Sequence, residues 1–216
     1  MKIINLGSEN TIFNQFIAEI RDVNIQGDSM RFRRNCERLG EIFAYEISKR
    51  LTYKKQEVVT PLGVAEMSLL KEQPVLATIL RAGLPLHQGL LNYFDKADNA
   101  FVSAYRKHHK DGSFVIEAEY MASPDLTDRT VILSDPMLAS GASMVEIYKL
   151  LLEKGKPSNL HVVTLIASVE GVNYIKKHLP EDTTVWVGAV DDELTAQSYI
   201  VPGLGDAGDL AFGAKE

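Results

Sequence analysis

The stretch from Thr130 to Ser143 holds residues suited to binding a phosphorylated sugar. An apolar run ends in Asp135, a loop of small and hydroxyl residues follows, and a helix is predicted from about Ala142. The amide N–H groups of such a loop and of the first helical turn point at one place, where the helix dipole also favours an anion. Ser140 and Ser143 add hydroxyl donors, and Asp135 can accept hydrogen bonds from two neighbouring sugar hydroxyls. This order of strand, acid, loop and helix predicts a sugar-phosphate site. The alternative is an ordinary strand–turn–helix connection with a serine N-cap.

Two arginines also follow apolar, strand-like runs. Arg81 comes after Val75–Leu80, and Arg106 comes after Ala100–Tyr105. Because the guanidinium fork binds phosphate oxygens in pairs, two such cations at the strand ends of one sheet can clamp a diphosphate. The alternative for each arginine is a surface charge.

The C-terminal stretch from Tyr199 to Asp209 is rich in glycine and contains G-x-G-x-x-G from Gly203 to Gly208. A dinucleotide fingerprint needs a full helix and a later acid, and only eight residues follow Gly208, so that interpretation fails. A glycine-rich backbone can approach a flat ligand closely. Its N–H and C=O groups can match the donor and acceptor edge of a pyrimidine, and a base with the reversed pattern leaves buried groups unpaired. The alternative is a tight C-terminal turn.

Other function classes find little support in the residues. The chain shows no H-E-x-x-H or paired-cysteine zinc spacing, no G-x-S-x-G elbow and no Walker loop. Its net charge of −6 disfavours nucleic-acid binding. Cys36 is the only cysteine and is predicted to be a buried thiol. No secretory signal or membrane-length apolar run is evident, so a cytoplasmic protein without a membrane partner is the expectation.

The periodicity predicts a single α/β domain over residues 1–216. Two amphipathic helices lie within residues 10–50, and a hairpin over residues 57–67 follows. The core, at about residues 70–190, alternates strands and helices, which predicts a mostly parallel sheet covered by helices on both faces. Predicted strands are 75–80, 100–105, 114–121, 130–134, 160–167 and 184–190; predicted helices are 84–94, 142–154 and 169–178. In such sheets ligands bind beyond the carboxyl ends of the strands.

The loop from Asp135 to Ser143, in its Asp-Pro-Met-Leu-Ala form, resembles the phosphoribosyl pyrophosphate (PRPP) loop of uracil phosphoribosyltransferases, within the type I phosphoribosyltransferases. The segments around Arg81 and Arg106 and the final glycine-rich block also match family segments, in family order, from about Ile20 onward. Three departures are visible: Ser140 replaces the more usual Thr, Ala142 replaces Gly, and Leu210 replaces Lys or Arg.

The resemblance implies a type I phosphoribosyltransferase-like fold with a β-hairpin arm and a C-terminal base-binding hood at about residues 198–210. It implies transfer of a 5-phosphoribosyl group from PRPP to uracil, giving UMP and pyrophosphate in pyrimidine salvage. Mg²⁺ would be bound through the substrate phosphates and not by a protein cage. Matched residue by residue, the PRPP-binding residues are Arg81, Arg106, Asp135, Pro136, Met137, Leu138, Ala139, Ser140, Gly141, Ala142, Ser143 and Asp206; the uracil-binding residues are Ile200, Gly205, Asp206 and Ala207; catalytic roles fall to Arg81, Arg106 and Asp135.

The resemblance also implies a homodimer or larger homo-oligomer assembled through the N-terminal helices, and a GTP effector in some relatives. The Arg-rich segment from Arg21 to Arg34 is a candidate nucleotide site, with a solvated helix face as the alternative. Residues 107–110 would form a lid, and His108 and His109 receive no role. Two other functions stay open: an RNA-binding pyrimidine regulator of the same fold, which the acidic charge disfavours, and a transferase for another base.

Overall fold

The computed structural model describes residues 1–108 and 114–214, and the side chains of all of these except 104–108 and 114–119. The helices are α1 (Ile12–Arg21), α2 (Ser29–Ser48), α3 (Leu84–Tyr93), α4 (Ala142–Leu151), α5 (Val169–His178) and α6 (Ala207–Phe212). The strands are β1 (Lys2–Asn5), β2 (Tyr53–Thr60), β3 (Gly63–Leu70), β4 (Val75–Leu80), β5 (Asp98–His108), β6 (Phe114–Ala122), β7 (Thr130–Ser134), β8 (Met137–Leu138), β9 (Asn159–Ser168), β10 (Thr184–Asp191), β11 (Glu193–Leu194) and β12 (Ile200–Val201).

The central sheet has the strand order β1-β10-β9-β7-β4-β5-β6, and the short β8 pairs with β9 beside β7. Every neighbouring pair is parallel except β5 and β6, which are antiparallel. The sheet is therefore mostly parallel, as the sequence predicts. Strands β4 and β7 are neighbours at its centre, so the residues that follow Leu80 and Ser134 emerge side by side.

Helices cover both faces of this sheet, because side chains alternate along buried strands. Leu76 and Ile132 pack in one core with α1, α2, α3 and α6. Their neighbours Val75 and Val131 pack in the opposite core with α4 and α5. The two-sided cover predicted from the alternation is confirmed.

Helices α2 and α3 pack closely against each other at two glycines, Gly40 and Gly89. An added Cβ at Gly89 would overlap the Glu37 carbonyl of α2 and lie 2.8 Å from the Gly40 Cα atom. The two backbones therefore approach too closely for any larger residue at these positions.

Two details of the N-terminal half agree with the sequence predictions. Cys36 is buried in α2, and burial raises the pKa of its thiol to about 12, which leaves it unreactive. Strands β2 and β3 form a separate two-stranded hairpin, the predicted arm, with Val59 and Leu62 exposed near its tip. Among the described residues, no helix is both long enough and apolar enough to cross a membrane.

Several element boundaries differ from the sequence predictions. Strand β1 was missed, because four residues carry too short a pattern, and it pairs with β10 at the sheet edge. Helix α2 begins at Ser29, before its apolar stripe, because the Asp28 carboxylate accepts a hydrogen bond from the Arg31 N–H at 3.1 Å. Helix α4 ends at Leu151, and residues 152–154 form a 3₁₀ turn. Both arm strands are longer than predicted, and in β2 the polar run from Lys54 to Gln56 hides the alternation.

Candidate active site

The structure brings Arg81 and Asp135 together at the carboxyl edge of the sheet. Each follows the last residue of a central strand, and Thr78 of β4 pairs in register with Ser134 of β7. The Thr78 hydroxyl donates to the Ser134 carbonyl at 3.2 Å, and the Ser134 hydroxyl donates to the Ala77 carbonyl at 3.2 Å. These side-chain bonds add to the backbone ladder, so both strand ends are held rigidly beneath the site.

A cavity of about 310 Å³ opens above this edge. Three separate parts of the chain line it: the ends of β4 and β7, the loop that leads into α4, and the C-terminal segment. The lining residues are Ile79, Leu80, Arg81, Ala82, Asp135, Met137, Ala139, Ser143, Ile147, Ser198, Tyr199, Ile200, Gly205, Asp206, Ala207 and Gly208. All four predicted uracil-binding residues are among them.

A smaller concavity of about 80 Å³ adjoins the first and is enclosed by the loop between β7 and α4. It shares Asp135, Met137, Ala139 and Ser143 with the larger cavity, and Leu138, Ser140, Gly141 and Met144 complete it. The loop sits at the N-terminus of α4, where free amide groups and the helix dipole favour an anion.

The local backbone explains why Ala142 is tolerated in this loop. Gly141, the N-cap of α4, has φ of +80°, whereas Ala142 is the first helical residue. The left-handed conformation therefore falls on the glycine that is present, and Ala142 needs none. An added Cβ at Gly141 would lie 2.9 Å from the Gly171 carbonyl oxygen, so a side chain there would also crowd α5.

Asp135 is half-buried, and burial raises the pKa of its carboxyl to about 7, although a hydrogen bond from the Met137 backbone N–H lowers it in part. In the free protein burial therefore favours the neutral form of this carboxyl. Groups that donate hydrogen bonds to it, such as sugar hydroxyls, stabilise its ionised form.

A residue of the C-terminal segment binds the side chain of Arg81. Its Nη2 atom donates to Asp209 Oδ1 at 2.7 Å, and its buried Nε has no hydrogen-bond partner among the described residues. The Asp209 N–H in turn donates to the Asp206 side chain, which caps α6, at 3.0 Å. The role of Asp209 was missed by sequence reasoning, since its partner lies 128 positions away.

The C-terminal segment contains one short helix that the glycine content concealed. Gly203 and Gly205 have φ of +54° and +93°, and α6 begins directly afterwards. Leu210 packs, partly buried, against the apolar core, so the residue that replaces a family cation adds apolar packing. Tyr199 also lines the cavity and was not assigned a role from the sequence; its position beside Ile200 was the available signal.

Some predicted PRPP-binding residues stay outside the two cavities. Pro136 is buried, and its carbonyl accepts hydrogen bonds from the N–H groups of Leu165 and Ile166 at 3.1 and 3.0 Å. Ala142 starts α4 without lining either cavity. Pro136 therefore anchors the loop to β9, and its predicted substrate contact is not visible in this arrangement.

The second predicted clamp residue lies on the next strand. The backbone of Arg106 belongs to β5, which is the parallel neighbour of β4, while its side chain lies outside the described residues. The predicted lid over residues 107–110 also falls largely outside: the backbone of Lys107 and His108 ends β5, and His109 and Lys110 are not described.

Comparisons with known proteins decide the family. The family model described as uracil phosphoribosyltransferase matches residues 8–214. The chain belongs to the uracil phosphoribosyltransferase family. A uracil phosphoribosyltransferase of Porphyromonas gingivalis is 56% identical over 215 residues, which cover 100% of both chains. One of Thermococcus gammatolerans is 39% identical over 203 residues, covering 93% of this chain and 88% of the relative.

Solved structures agree with the fold. A protein from Aquifex aeolicus superposes with a TM-score of 0.86 at 28% identity, covering 98% of each chain. A hypoxanthine phosphoribosyltransferase from Staphylococcus aureus has a TM-score of 0.51 at 13% identity, covering 86% of this chain and 83% of the other. The second likeness supports the type I phosphoribosyltransferase fold alone.

As a member of the uracil phosphoribosyltransferase family, the protein is a pentosyltransferase. It transfers the 5-phosphoribosyl group of PRPP to uracil and releases UMP and pyrophosphate, a reaction of pyrimidine salvage. The regulator and other-base alternatives left open by the sequence are therefore set aside.

Proposed function

We propose that this transfer takes place in the cavity above β4 and β7, with PRPP along the sheet edge and uracil against the C-terminal segment. One observation supports the proposal most strongly: Asp135, Arg81 and the backbone of residues 205–208 line a single cavity. The 5′-phosphate would occupy the concavity of the loop before α4, where helix N-terminal amides collect. Asp135 would accept hydrogen bonds from the ribose hydroxyls, and Arg81 with Arg106 would bind the pyrophosphate.

The chemistry in this arrangement needs no covalent enzyme intermediate. As the bond from the anomeric carbon to pyrophosphate breaks, the sugar develops oxocarbenium character. N1 of uracil attacks that carbon, and the N1 proton passes to the released pyrophosphate or to solvent. Charge moves onto the leaving pyrophosphate, where the guanidinium of Arg81 stabilises it. The remaining gain comes from holding the two substrates in line, which removes the entropic cost of their encounter.

Recognition of uracil would rest on the backbone around Gly205 and Ala207. Both residues line the cavity, and Gly205 has a left-handed backbone conformation. A base with the opposite donor and acceptor pattern would leave these amide and carbonyl groups unpaired, which costs about 1–3 kcal/mol for each group.

Mg²⁺ belongs to the same proposal. The cavity presents two carboxylates, Asp135 and Asp206, whose oxygens are the donor type that Mg²⁺ prefers. Among the described residues no cluster of three or more His, Cys, Asp or Glu side chains is placed to hold a metal alone. The substrate phosphates would supply the other ligands, and the ion, when bound, would neutralise charge on the pyrophosphate.

Replacement of Arg81 tests the placement of PRPP. We expect Arg81→Met to lower kcat/KM for PRPP by about 100-fold or more, as removal of an electrostatic stabiliser usually does. Arg129→Met is the matched control, because Arg129 bridges Glu72 and Asp98 away from the cavity. Equal kinetics for Arg81→Met and the unchanged protein would show that the pyrophosphate lies elsewhere.

A panel of bases tests the recognition of uracil. Product formation from PRPP and Mg²⁺ would be compared for uracil, cytosine, hypoxanthine and orotate, and repeated with excess chelator. We expect turnover with uracil alone and its loss on chelation. Turnover with cytosine at a similar rate would contradict backbone recognition, and full activity in chelator would contradict the role of Mg²⁺.

Assembly as a homodimer or larger oligomer through the N-terminal helices is a further part of the proposal. Ile12, Met30 and Tyr45 are 66%, 64% and 56% exposed on these helices, and a second copy could cover such apolar side chains. Sedimentation at working concentration tests it, and a purely monomeric protein would contradict it.

Activation by GTP stays a prediction from the family resemblance. All four arginines of the segment from Arg21 to Arg34 already have partners, namely Asp191, Glu19, the Ala211 carbonyl and Glu37. A nucleotide phosphate bound there would have to displace one of these contacts. Turnover measured with and without GTP tests the prediction.

A further inference from the structure

Arg21, at the end of α1, forms a bidentate ion pair with Asp191, at the end of β10. The Nη1 and Nη2 atoms donate to Oδ2 and Oδ1 of Asp191, each at 2.8 Å. The side chains are 21% and 8% exposed, so the pair is largely withdrawn from water. Such geometry is the strong form of an arginine–carboxylate contact.

The same pair binds both backbone polar groups of one residue. Arg21 Nη1 also donates to the Gly203 carbonyl at 3.0 Å, and the Gly203 N–H donates to Asp191 Oδ2 at 2.9 Å. Gly203 is itself buried, and its φ of +54° suits glycine. Neither group can move without breaking a charge-assisted hydrogen bond.

Gly203 lies between the two C-terminal stretches that line the active-site cavity. Residues 198–200 form one stretch, and residues 205–208 form the other. The turn is tight, since an added Cβ at Gly203 would overlap the Ile200 carbonyl. The position of Gly203 therefore sets how the two stretches face each other.

We propose that Arg21 and Asp191 are positioning residues for the uracil pocket, which act by holding the peptide groups of Gly203. The inference rests on the proposed placement of uracil against residues 200–208. It assigns to Arg21 a role different from both sequence interpretations, the nucleotide site and the solvated helix face. The pair binds both the N–H and the C=O of the turn, which an apolar pair of similar size could not do.

Two conservative variants test the role. Arg21→Lys keeps the charge but cannot reach two carboxylate oxygens and a carbonyl together, and Asp191→Asn keeps the shape but loses the ion pair. We expect each to raise KM for uracil by about 10-fold to 100-fold, the effect of losing a charge-assisted hydrogen bond. KM for PRPP should change less than about twofold, an effect near the noise of such measurements. The double variant should be no worse than the more impaired single variant, since both act through Gly203.

Arg31→Lys is the matched control. Arg31 binds Glu19 through two donor atoms, each at 3.0 Å, and joins the same N-terminal helices; among the described residues it forms no hydrogen bond with the C-terminal segment. It should lower thermal stability and leave KM for uracil unchanged. All kinetic measurements would be made at a temperature well below the midpoint of thermal unfolding of each variant.

The proposal is overturned if Arg21→Lys and Asp191→Asn leave KM for uracil unchanged, or if Arg31→Lys raises it equally. Gly205→Ala alters the pocket itself. It therefore distinguishes failure of the positioning role from failure of the proposed placement of uracil. If Gly205→Ala raises KM for uracil and the ion-pair variants do not, the positioning role alone is wrong. If none of the three raises it, the placement of uracil is also wrong.

Discussion

Gly205 provides the sharpest test of how the base is bound. Its φ is +93°, it lines the cavity, and, apart from its own atoms and those of its two chain neighbours, no heavy atom of the described residues lies within 4 Å of an added Cβ. A methyl group would therefore meet no other part of the free protein, and the cost of Gly205→Ala in the free protein lies in the backbone. Any contact of the methyl group with bound uracil would act in the same direction. Holding an alanine in a left-handed conformation costs about 1–2 kcal/mol. If the segment relaxes in the free protein, uracil must restore the strained form and lose that amount of binding energy.

The expected effect is a rise in KM for uracil of about 5-fold to 30-fold, with KM for PRPP nearly unchanged. Initial rates would be measured with uracil varied at saturating PRPP. Gly213→Ala is the control, because Gly213 also has a positive φ of +86° and open space around its Cβ position, but follows α6 outside the cavity. Both variants should lose similar thermal stability. An unchanged KM for uracil in Gly205→Ala would refute recognition by this part of the backbone.

Three further predictions concern stability and the phosphate loop. The pKa of Asp135 is about 7 in the folded protein against an ordinary value of 3.8, so its contribution to the free energy of unfolding should fall as pH rises from about 4 to 7. In denaturant titrations Asp135→Asn should lack this decrease of the unfolding free energy with pH. Hydrogen bonds, chiefly from Arg31 and also from Asn35, lower the pKa of Glu19 to about 2. Glu19→Gln should therefore lower the free energy of unfolding by about 1–3 kcal/mol at neutral pH, and by progressively less as the pH falls from about 4.5 to 2. An equal loss of stability at neutral pH and at about pH 2 would contradict this. An alanine at Gly171 would overlap the Ala139 carbonyl, so Gly171→Ala should displace the loop and raise KM for PRPP, and unchanged kinetics would show that the loop does not bind the phosphate.

Much of the fold follows from local patterns in the chain. The buried strands β4, β7 and β9 are mostly apolar runs, and the loop from Asp135 to Ser143 combines an acid, small residues and a helix start in one short stretch. Such signals need no knowledge of distant residues, so both the sheet and the phosphate cradle are predictable. Strand β1 is the counterexample, because its four residues acquire strand structure only by pairing with β10.

The contacts that connect the site to the rest of the protein are not predictable in this way. Arg21 and Asp191 are 170 positions apart, and Arg81 and Asp209 are 128 positions apart. Each side chain alone has the pattern of an ordinary surface charge, and only the folded chain shows its partner. Sequence reasoning therefore located the binding residues more readily than the residues that orient them.

The contact between Gly40 and Gly89 has a consequence for how this protein can diverge. In most helix pairs a larger residue on one side is accommodated by a smaller residue on the other, so that both positions drift together. Here both positions already carry the smallest residue, and no compensating exchange remains. Helix α3 begins just after Arg81, and α2 contacts α6 through the Arg33 side chain and the Ala211 carbonyl. Adaptation to new temperatures or partners must therefore leave this crossing unchanged and accumulate elsewhere, because any separation of these helices would alter both halves of the active site.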